Sequence, residues 1–202
     1  GEVVVYGVVD SIREGEHRSS FARYQYPSRL PRRVRERMAE IAGRFFRHAG
    51  YDGSPFNIEF YWEEKSDSLR LLEANARISK SHCPLFEMVD GVSHHQVMID
   101  VALGRRPDFP HRRGRHKLAA KFMLRRFEDG IVTRVPNADD IARVQERFPG
   151  TRVRLMVEQG TRLAHLKLQD SYSFEIAEIF MGADSQPALK AGYEACLEML
   201  DF

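Results

Sequence analysis

The amino-acid sequence predicts an α+β fold. Three observations support this prediction. Several short segments alternate apolar and polar residues, as half-buried strands do; other segments repeat apolar residues at steps of three and four, as amphipathic helices do; and no internal repeat is present. The composition, with 43% hydrophobic and 30% charged residues in 202, excludes collagen-like, low-complexity and disordered classes. No apolar run approaches the roughly 20 residues of a membrane span, so we expect no membrane partner.

The start of the chain is predicted to form a strand, a loop and a helix. Residues 2–9 are apolar and β-branched, which is typical of a strand, and a polar loop over 10–30 follows. The segment 32–49 predicts an amphipathic helix, with Pro31 at its start and Gly50 at its end. Its apolar residues stand at helical spacing: Val34, Met38, Ile41, Ala42, Phe45 and Phe46.

A β-hairpin and two shorter helices are predicted next. Residues 56–62 alternate apolar and polar side chains, a charged turn follows, and 69–75 reads as the returning strand. Helices are expected at about 84–89 and 93–103, the second of them ended by Gly104.

The segment Arg105–Arg115, rich in Arg, Pro and Gly, is the predicted domain boundary, which gives domains at 1–110 and 111–202. Beyond it, the pattern predicts strands at 118–127, 131–135, 152–157 and 174–182, a further strand after the Gln159-Gly160 turn, and helices at about 138–148 and 186–200.

The charge distribution is uneven although the formal net charge is only +2. Arginine outnumbers lysine by 25 to 6, and arginine suits planar recognition of carboxylate and phosphate. Nine basic residues and a single acid, Asp108, lie between Arg105 and Arg126. Two interpretations stay open: a solvated linker followed by a strand with a basic face, or a site for an acidic ligand. A nucleic-acid partner is not expected, because the net charge is small and no recognised motif is present.

The hairpin carries the strongest chemical signal. Strand alternation places Glu73, Asn75 and Arg77 on one face, and a turn centred near Ser66 puts Glu59 about opposite Glu73. Carboxylates held there, with Cβ atoms ~4.5–5.5 Å apart, repel each other and need a cation, a shared proton or free exposure. Oxygen ligands of this kind favour Mg²⁺ or Mn²⁺ over zinc. The alternative is an exposed hairpin with incidental acids.

The segment Phe56-Asn57-Ile58-Glu59-Phe60, followed by Glu73-Ala74-Asn75-Ala76-Arg77, resembles the closing half of an ATP-grasp domain. The resemblance implies ATP and Mg²⁺ (or Mn²⁺) as cofactors, with three metal ligands: Glu59, Glu73 and Asn75. It implies that Glu59, Glu73 and Arg77 hold the nucleotide and that Arg77 contacts the γ-phosphate or the acyl-phosphate.

The run Ile78-Ser79-Lys80-Ser81-His82 follows where that family places residues that contact substrate and phosphate. The resemblance therefore implies substrate contacts from Ser79, Ser81 and His82. Lys80 is expected either to join Arg77 in catalysis, on phosphate or a substrate carboxylate, or to be a solvated loop residue.

The resemblance covers most of the chain but only part of the family's fold. Residues 1–105 resemble the second half of an ATP-grasp module, and 116–202 look like the small C-terminal domain of biotin-carboxylase-like and carboxylate–amine-ligase members. The implied fold is thus the C-terminal half of an ATP-grasp fold with an appended small mixed α/β domain. The family's phosphate-contacting lysines and Gly-rich flap are not matched, and the chain begins at Gly1. We therefore expect a fragment of a longer enzyme, inactive alone, whose partners include the rest of the parent chain.

The implied function is an ATP-dependent ligase that activates a small-molecule carboxylate as an acyl-phosphate for attack by an amine. A biotin carboxylase has Gln-Val-Glu soon after the arginine of this motif, whereas Ile78–His82 contains no Glu. Two alternatives remain: a biotin-carboxylase-like carboxylase, and a non-catalytic ATP-grasp remnant that acts as a binding or regulatory module. A homodimer is compatible with each.

Several other residues invite chemical interpretations. The loop over 10–30 holds Arg13, Arg18, Arg23 and Tyr24, and in the ATP-grasp layout Arg23 would bind a substrate carboxylate, the alternative being surface solvation. His94-His95 is not expected to form a zinc pair, because adjacent helical side chains point about 100° apart. Cys83 and Cys196 lie far apart in sequence, so a disulfide framework is not indicated and a reducing, cytoplasmic location is expected.

Overall fold

The computed structural model describes residues 1–14, 19–167 and 173–202. In chain order the elements are β1 Asp10–Ile12, β2 Arg23–Tyr26, α1 Arg32–His48, β3 Asn57–Glu63, β4 Ser68–Asn75, α2 Cys83–Asp90, α3 His94–Ala102, β5 Leu118–Arg126, α4 Ala138–Arg147, β6 Arg152–Leu155, a 3₁₀ turn Leu163–His165, β7 Phe174–Ala183 and α5 Gln186–Met199.

The main sheet has five antiparallel strands in the order β1-β2-β5-β7-β6. Its central strands, β5 and β7, are buried on both faces. On one face Ala120 and Ile179 form a core with Leu189 of α5 and Val144 of α4. The opposite face, which includes Ala119 of β5, packs against α2. Side chains of β5 therefore alternate between two helix-covered cores, which explains why the strand reads as a nearly continuous apolar run.

The hairpin β3–β4 forms a separate two-stranded sheet beside α1. At its base, Phe46 of α1 packs on Phe56, with ring centroids 4.0 Å apart. At its tip, Asp67 accepts hydrogen bonds from Arg33 (2.6 Å), Arg37 (2.9 Å) and the Trp62 indole (2.9 Å). These donors lower the pKa of Asp67 to about 2. The hairpin is thus fixed to the helix at both ends.

The predicted α+β class is confirmed, as are all five predicted helices, each within two residues of its expected ends. The predicted hairpin is also confirmed, with β3 and β4 at 57–63 and 68–75. No helix within the described ranges has the length and apolar character that crossing a bilayer requires.

The prediction of a strand at 2–9 is wrong. This segment is irregular, with Val8 O accepting a hydrogen bond from Ser28 N (3.0 Å), and the first strand begins only at Asp10. It packs closely against aromatic rings: a Cβ added to Gly7 would lie 2.6 Å from Phe86 and 2.7 Å from Tyr26. The backbone of this run does not pair in a strand ladder; side chains such as Tyr6 and Val9 pack instead against the buried cluster that contains Tyr26 and Phe86.

Three further expectations differ from the structure. The loop predicted at 10–30 contains β1 and β2. The segment 131–135 is not a strand, since it contributes a single bridge between Ile131 and Arg162. In the described part of the segment after Gln159-Gly160, the backbone forms a 3₁₀ turn where a strand was expected. The predicted domain boundary stays a prediction, although β2 before it pairs directly with β5 after it.

Candidate functional site

The two glutamates of the hairpin stand directly opposite each other, as the sequence predicts. Glu59 pairs with Glu73 in the β3–β4 register, Asn57 pairs with Asn75, and the register shifts between Glu59 and Phe60. Both carboxylates are exposed, and neither forms an ion pair with a protein cation among the described residues. Like charges in directly opposed positions destabilise a hairpin unless something neutralises them. The arrangement is therefore suited to a bound cation.

The residues present fit a magnesium or manganese ion. Asn75 lies beside the glutamates; its amide oxygen is the atom that could bind a cation, and its buried amide nitrogen has no hydrogen-bond partner among the described residues. Glu59, Glu73 and Asn75 offer oxygen ligands, which Mg²⁺ usually supplements with waters and substrate phosphates. The described ranges contain no group of three or more His, Cys, Asp or Glu that could hold a metal ion by itself. Such a donor set depends on a ligand such as a nucleotide to complete the coordination.

Arg77 and Lys80 lie exposed on the short loop that joins β4 to α2. Arg77 follows β4 and donates from Nη1 to the carbonyl of Ile78 (3.3 Å). The carbonyl of Ser79 accepts from the backbone N–H groups of His82 (3.0 Å) and Cys83 (3.2 Å), which turns the chain into α2. The loop thus carries two cations, with exposed side chains, beside the paired glutamates.

Ser81 and His82 connect this loop to the main sheet. The ammonium of Lys121, on β5, donates to Ser81 Oγ (3.1 Å) and forms a close ion pair with Glu178 of β7. Glu175 Oε1 lies 3.9 Å from the same ammonium. Lys121 is only 5% exposed, so its charge interacts strongly with these neighbours.

His82 links the hairpin to the sheet at the same point. Its Nδ1 lies 3.4 Å from the side-chain nitrogen of Asn57, which can donate to it, and its ring meets the Tyr24 ring edge-on at 5.3 Å. Burial lowers the pKa of His82 to about 4, and His94 and Lys121 contribute to the same effect. The imidazole is therefore neutral at neutral pH and is suited to hydrogen bonding rather than to charge pairing.

A cavity of about 1670 Å³ is lined by six of the nine predicted site residues, whereas Glu73, Asn75 and Arg23 are not part of its lining. Its lining includes Glu59 of β3 and the whole loop from Arg77 to His82, together with parts of α1, α3 and the irregular segment 1–9. Tyr24 lines it as well, on the side of the main sheet.

The structure does not bring Arg23 to this cavity. Neighbouring residues of a strand point to opposite faces, and Arg23 lies over Phe122 (6.0 Å) while Tyr24 lies on the face of Lys121. Arg23 is engaged by Glu14 and, at 3.3 Å, by Gln25. Arg18 lies outside the described residues.

The basic segment 105–126 does not form one surface. Lys121 and Arg125 lie in the main sheet, where Arg125 pairs with Glu175 at 3.1 Å. Arg106 instead lies on the exposed linker, 3.8 Å from Glu2. Of the two interpretations, a solvated linker followed by a strand fits better, although two cations of the strand, Lys121 and Arg125, are paired within the protein.

Sequence reasoning missed three residues of the site: Asn57, Tyr24 and Lys121. A lysine in the middle of the apolar run Leu118–Leu124 was the clearest available signal, because buried lysines are nearly always paired. Tyr24 is next to Arg23 and points to the opposite face of the sheet. This could be seen only once the segment had been recognised as a strand. Asn57 required the hairpin register and the position of His82.

The fold is similar to several solved structures. Phosphoribosylglycinamide synthetase from Anaerococcus prevotii matches with 12% identity and a TM-score of 0.69, over 96% of this chain and 48% of that one. The L-amino acid ligase from Bacillus licheniformis matches with 16% identity and a TM-score of 0.67, over 90% and 44%. The biotin carboxylase domain of the Hydrogenobacter thermophilus 2-oxoglutarate carboxylase, a dimer solved with MgADP, ADP and bicarbonate, matches with 21% identity and a TM-score of 0.64, over 97% and 42%.

The chain thus spans less than half the length of each of these three structures. A search among curated proteins found no match. The family model for the carbamoyl-phosphate synthase L chain ATP-binding domain matches residues 6–108, which include the hairpin, the loop after it and the helices α1–α3. Since that model covers more than half of the 202 residues, the chain belongs to this family, a branch of the ATP-grasp superfamily that also includes the biotin carboxylases.

Proposed function

We propose that this chain provides the metal-binding and phosphate-binding part of an ATP-dependent ligase that joins a carboxylate to an amine. The observation that carries the proposal is the direct opposition of Glu59 and Glu73, with Arg77 exposed at the end of the same hairpin. Acidic oxygen ligands beside an arginine fork are suited to hold a divalent cation and a phosphate together. ATP, Mg²⁺ (or Mn²⁺) and a small-molecule carboxylate are the proposed ligands.

In this proposal the hairpin and its loop have distinct roles. Glu59, Glu73 and Asn75 hold Mg²⁺, which when bound neutralises charge on the triphosphate. Arg77 binds the oxygens of the phosphoryl group as it moves, and Lys80 orients the acceptor carboxylate. Positioning and charge neutralisation of this kind account for most catalysis of phosphoryl transfer.

The proposed reaction has two steps. An oxygen of the substrate carboxylate attacks the γ-phosphorus, and the bond to ADP breaks to give an acyl-phosphate. The nitrogen of an amine then attacks the acyl carbon, phosphate leaves with the electron pair of the carbon–oxygen bond, and the nitrogen loses a proton. Ser79, Ser81 and His82 line the cavity where this carboxylate would lie. Neutral His82 can hydrogen-bond the substrate without adding a positive charge that would compete with Arg77 for the carboxylate.

A biotin-carboxylase-like reaction is the second candidate, because biotin carboxylase domains are among the similar folds. The loop Ile78–His82 offers serine, lysine and histidine but no carboxylate that could act as a base toward bicarbonate. The carboxylate–amine reaction is therefore preferred.

A cytoplasmic location is part of the proposal, and both cysteines, Cys83 and Cys196, are free thiols.

The decisive experiment measures ADP release by the full-length protein that carries this chain. The Glu73→Gln variant removes one charge from the proposed metal site, and Glu64→Gln, in the exposed turn of the same hairpin, is the matched control. We expect ADP release to fall at least 100-fold in Glu73→Gln and to be unchanged in the control. Unchanged turnover in Glu73→Gln would refute the assignment.

Screening substrates separates the two reactions. ADP release stimulated by pairs of carboxylates and amines supports the proposal, whereas stimulation by bicarbonate and biotin alone would favour the carboxylase. We further expect the 202-residue chain by itself to bind ATP weakly and to release no ADP. Binding to an acidic partner without any substrate-stimulated ADP release would favour a regulatory module.

A further inference from the structure

A cluster of four aromatic rings forms one wall of the cavity, away from the paired glutamates. Tyr6 lies at the centre, with ring centroids 5.1 Å from Phe86, 5.3 Å from His94 and 5.4 Å from Phe109. His94 also stacks on Phe86 at 4.2 Å. Burial lowers the pKa of His94 to about 4, so this ring is neutral and the wall carries no charge at neutral pH.

One face of α3 extends the same apolar wall. Val97, Met98 and Val101 line the cavity, while Ile99, on the same helix, does not. Met98 is 37% exposed, so its side chain is accessible to a ligand in the cavity. Ser93 caps this helix by accepting from His95 N (3.3 Å), which fixes its first turn next to the ring cluster.

The apolar wall lies close to the loop that carries the phosphate-binding and substrate-binding groups. His94 is near enough to His82 to affect its pKa, and both rings line the cavity. Arg77 and Lys80 line it too and supply positive charge. The lining of the cavity therefore combines exposed cations with a wall of aromatic and aliphatic side chains.

We propose that this cavity binds a carboxylic acid with an apolar side chain of leucine or phenylalanine size. The carboxylate meets Arg77 and Lys80, and the side chain lies against Tyr6, His94 and Met98. The inference rests on the proposed function, since this acid is the carboxylate that the ligase would activate. Bicarbonate has no apolar surface to cover the wall, and an acidic side chain would lose hydration against it without gaining a partner.

Burying a side chain of this size is expected to tighten binding about 10- to 100-fold relative to a short acid that makes the same carboxylate contacts. The probes are 4-methylpentanoate and 3-phenylpropanoate, compared with acetate, succinate and bicarbonate. Binding to the full-length protein is measured by isothermal titration calorimetry in the presence of MgADP. We expect both apolar acids to bind at least 10-fold more tightly than acetate or succinate. Equal or tighter binding of succinate or bicarbonate would overturn the proposal.

A pair of variants on α3 localises the effect. Met98→Asp places a charge in the apolar wall and is expected to remove the preference for the apolar acids. Ile99→Asp is the matched control, because Ile99 is 47% exposed on the same helix but does not line the cavity. Loss of the preference in both variants, or in neither, would contradict the proposal. Met98→Gln repeats the test with a neutral polar side chain of similar length if Met98→Asp does not fold.

These measurements distinguish the inference from the proposed function, because binding is measured without turnover. If the apolar acids bind with the expected preference but no carboxylate and amine pair stimulates ADP release, the binding site is supported and the ligase assignment fails. If ADP release is stimulated only by short or acidic carboxylates, the ligase assignment is supported and the inference fails.

Discussion

The buried ammonium of Lys121 donates a hydrogen bond of 3.1 Å to Ser81 Oγ, although Lys121 lies in the middle of β5 and Ser81 on the loop between β4 and α2, 40 positions away. Ser81 follows the strand that carries Glu73, whereas Lys121 is held on β5 by the carboxylate of Glu178 on β7. The position of the loop 76–82 is therefore coupled to the centre of the main sheet. Lys121 is a positioning residue in this arrangement, since it acts on the cavity through Ser81.

Replacing Lys121 by Met is expected to destabilise the protein by about 3 kcal/mol, because breaking a buried pair leaves a buried charge without its partner. Glu178 would then depend on Arg154, at 3.6 Å, whose side chain is 71% exposed. Chemical denaturation measures the loss, and hydrogen exchange should rise in the loop 76–82. Lys117→Met, at an exposed position before β5, is the control and should change neither quantity. The double variant Lys121→Met/Glu178→Leu removes both charges. If its free energy of unfolding is no higher than that of Lys121→Met, the loss in Lys121→Met does not come from an unpaired Glu178 carboxylate.

Removing one of the opposed glutamates is expected to have effects of opposite sign without and with metal. In a chelator, Glu73→Gln relieves the repulsion from Glu59 and should raise the free energy of unfolding slightly, by about 0.2–1 kcal/mol. With MgADP, the natural protein should gain thermal stability and the variant should not. Differential scanning fluorimetry in both conditions tests this. Equal stabilisation of both proteins by MgADP would exclude Glu73 as a ligand.

Acid is expected to destabilise the fold through its two buried histidines. The folded-state pKa values of His82 and His94 are lowered from 6.5 to about 4, so below pH 6.5 the unfolded chain takes up protons that the folded chain excludes. The contribution of the two histidines to the free energy of unfolding should be fully present above pH 6.5. It should fall as the pH drops toward 4, by at most about 3 kcal/mol for each histidine. Urea unfolding of the natural protein and of His94→Phe at several pH values tests this. A parallel pH dependence in the two proteins would contradict it.

The tip of the hairpin should depend on Asp67. Its carboxylate is held ionised by Arg33 and the Trp62 indole, with Arg37 adding a second arginine. Asp67→Asn keeps the side-chain shape but removes the charge, so we expect faster hydrogen exchange at the ends of β3 and β4. Asp129→Asn, which breaks the exposed pair with Arg162 elsewhere in the chain, should leave exchange in the hairpin unchanged. Unaltered hydrogen exchange in Asp67→Asn would show that the turn keeps its structure without the ion pairs between Asp67 and the two arginines.

The parts of the fold that depend on local pattern were predictable. Strand alternation and a short turn fixed the opposition of Glu59 and Glu73, and the spacing of Val34, Met38 and Phe46 defined the buried face of α1. These features need only the chain's periodicity and its turn residues.

The parts that depend on distant partners were not predictable in this way. The run at 2–9 has the composition of a strand, but its side chains cover Tyr26 and Phe86, which no local pattern reveals. Arg23 shares a face with Phe122, and this could be seen only after β2 was known to pair with β5. The contact of Lys121 with Ser81 joins elements whose proximity is set by the whole sheet.

The pairing of β2 with β5 has a consequence for how the molecule is made. During synthesis β1 and β2 emerge before β5, so one edge of β2 must remain unpaired until the ribosome has added α1, the hairpin, α2, α3 and the linker. The hairpin and α1, by contrast, find each other within a short stretch of chain and can associate as soon as they emerge. The hairpin is thus expected to pack on α1 before the main sheet is complete, and until then the unpaired edge of β2 can pair with a wrong strand.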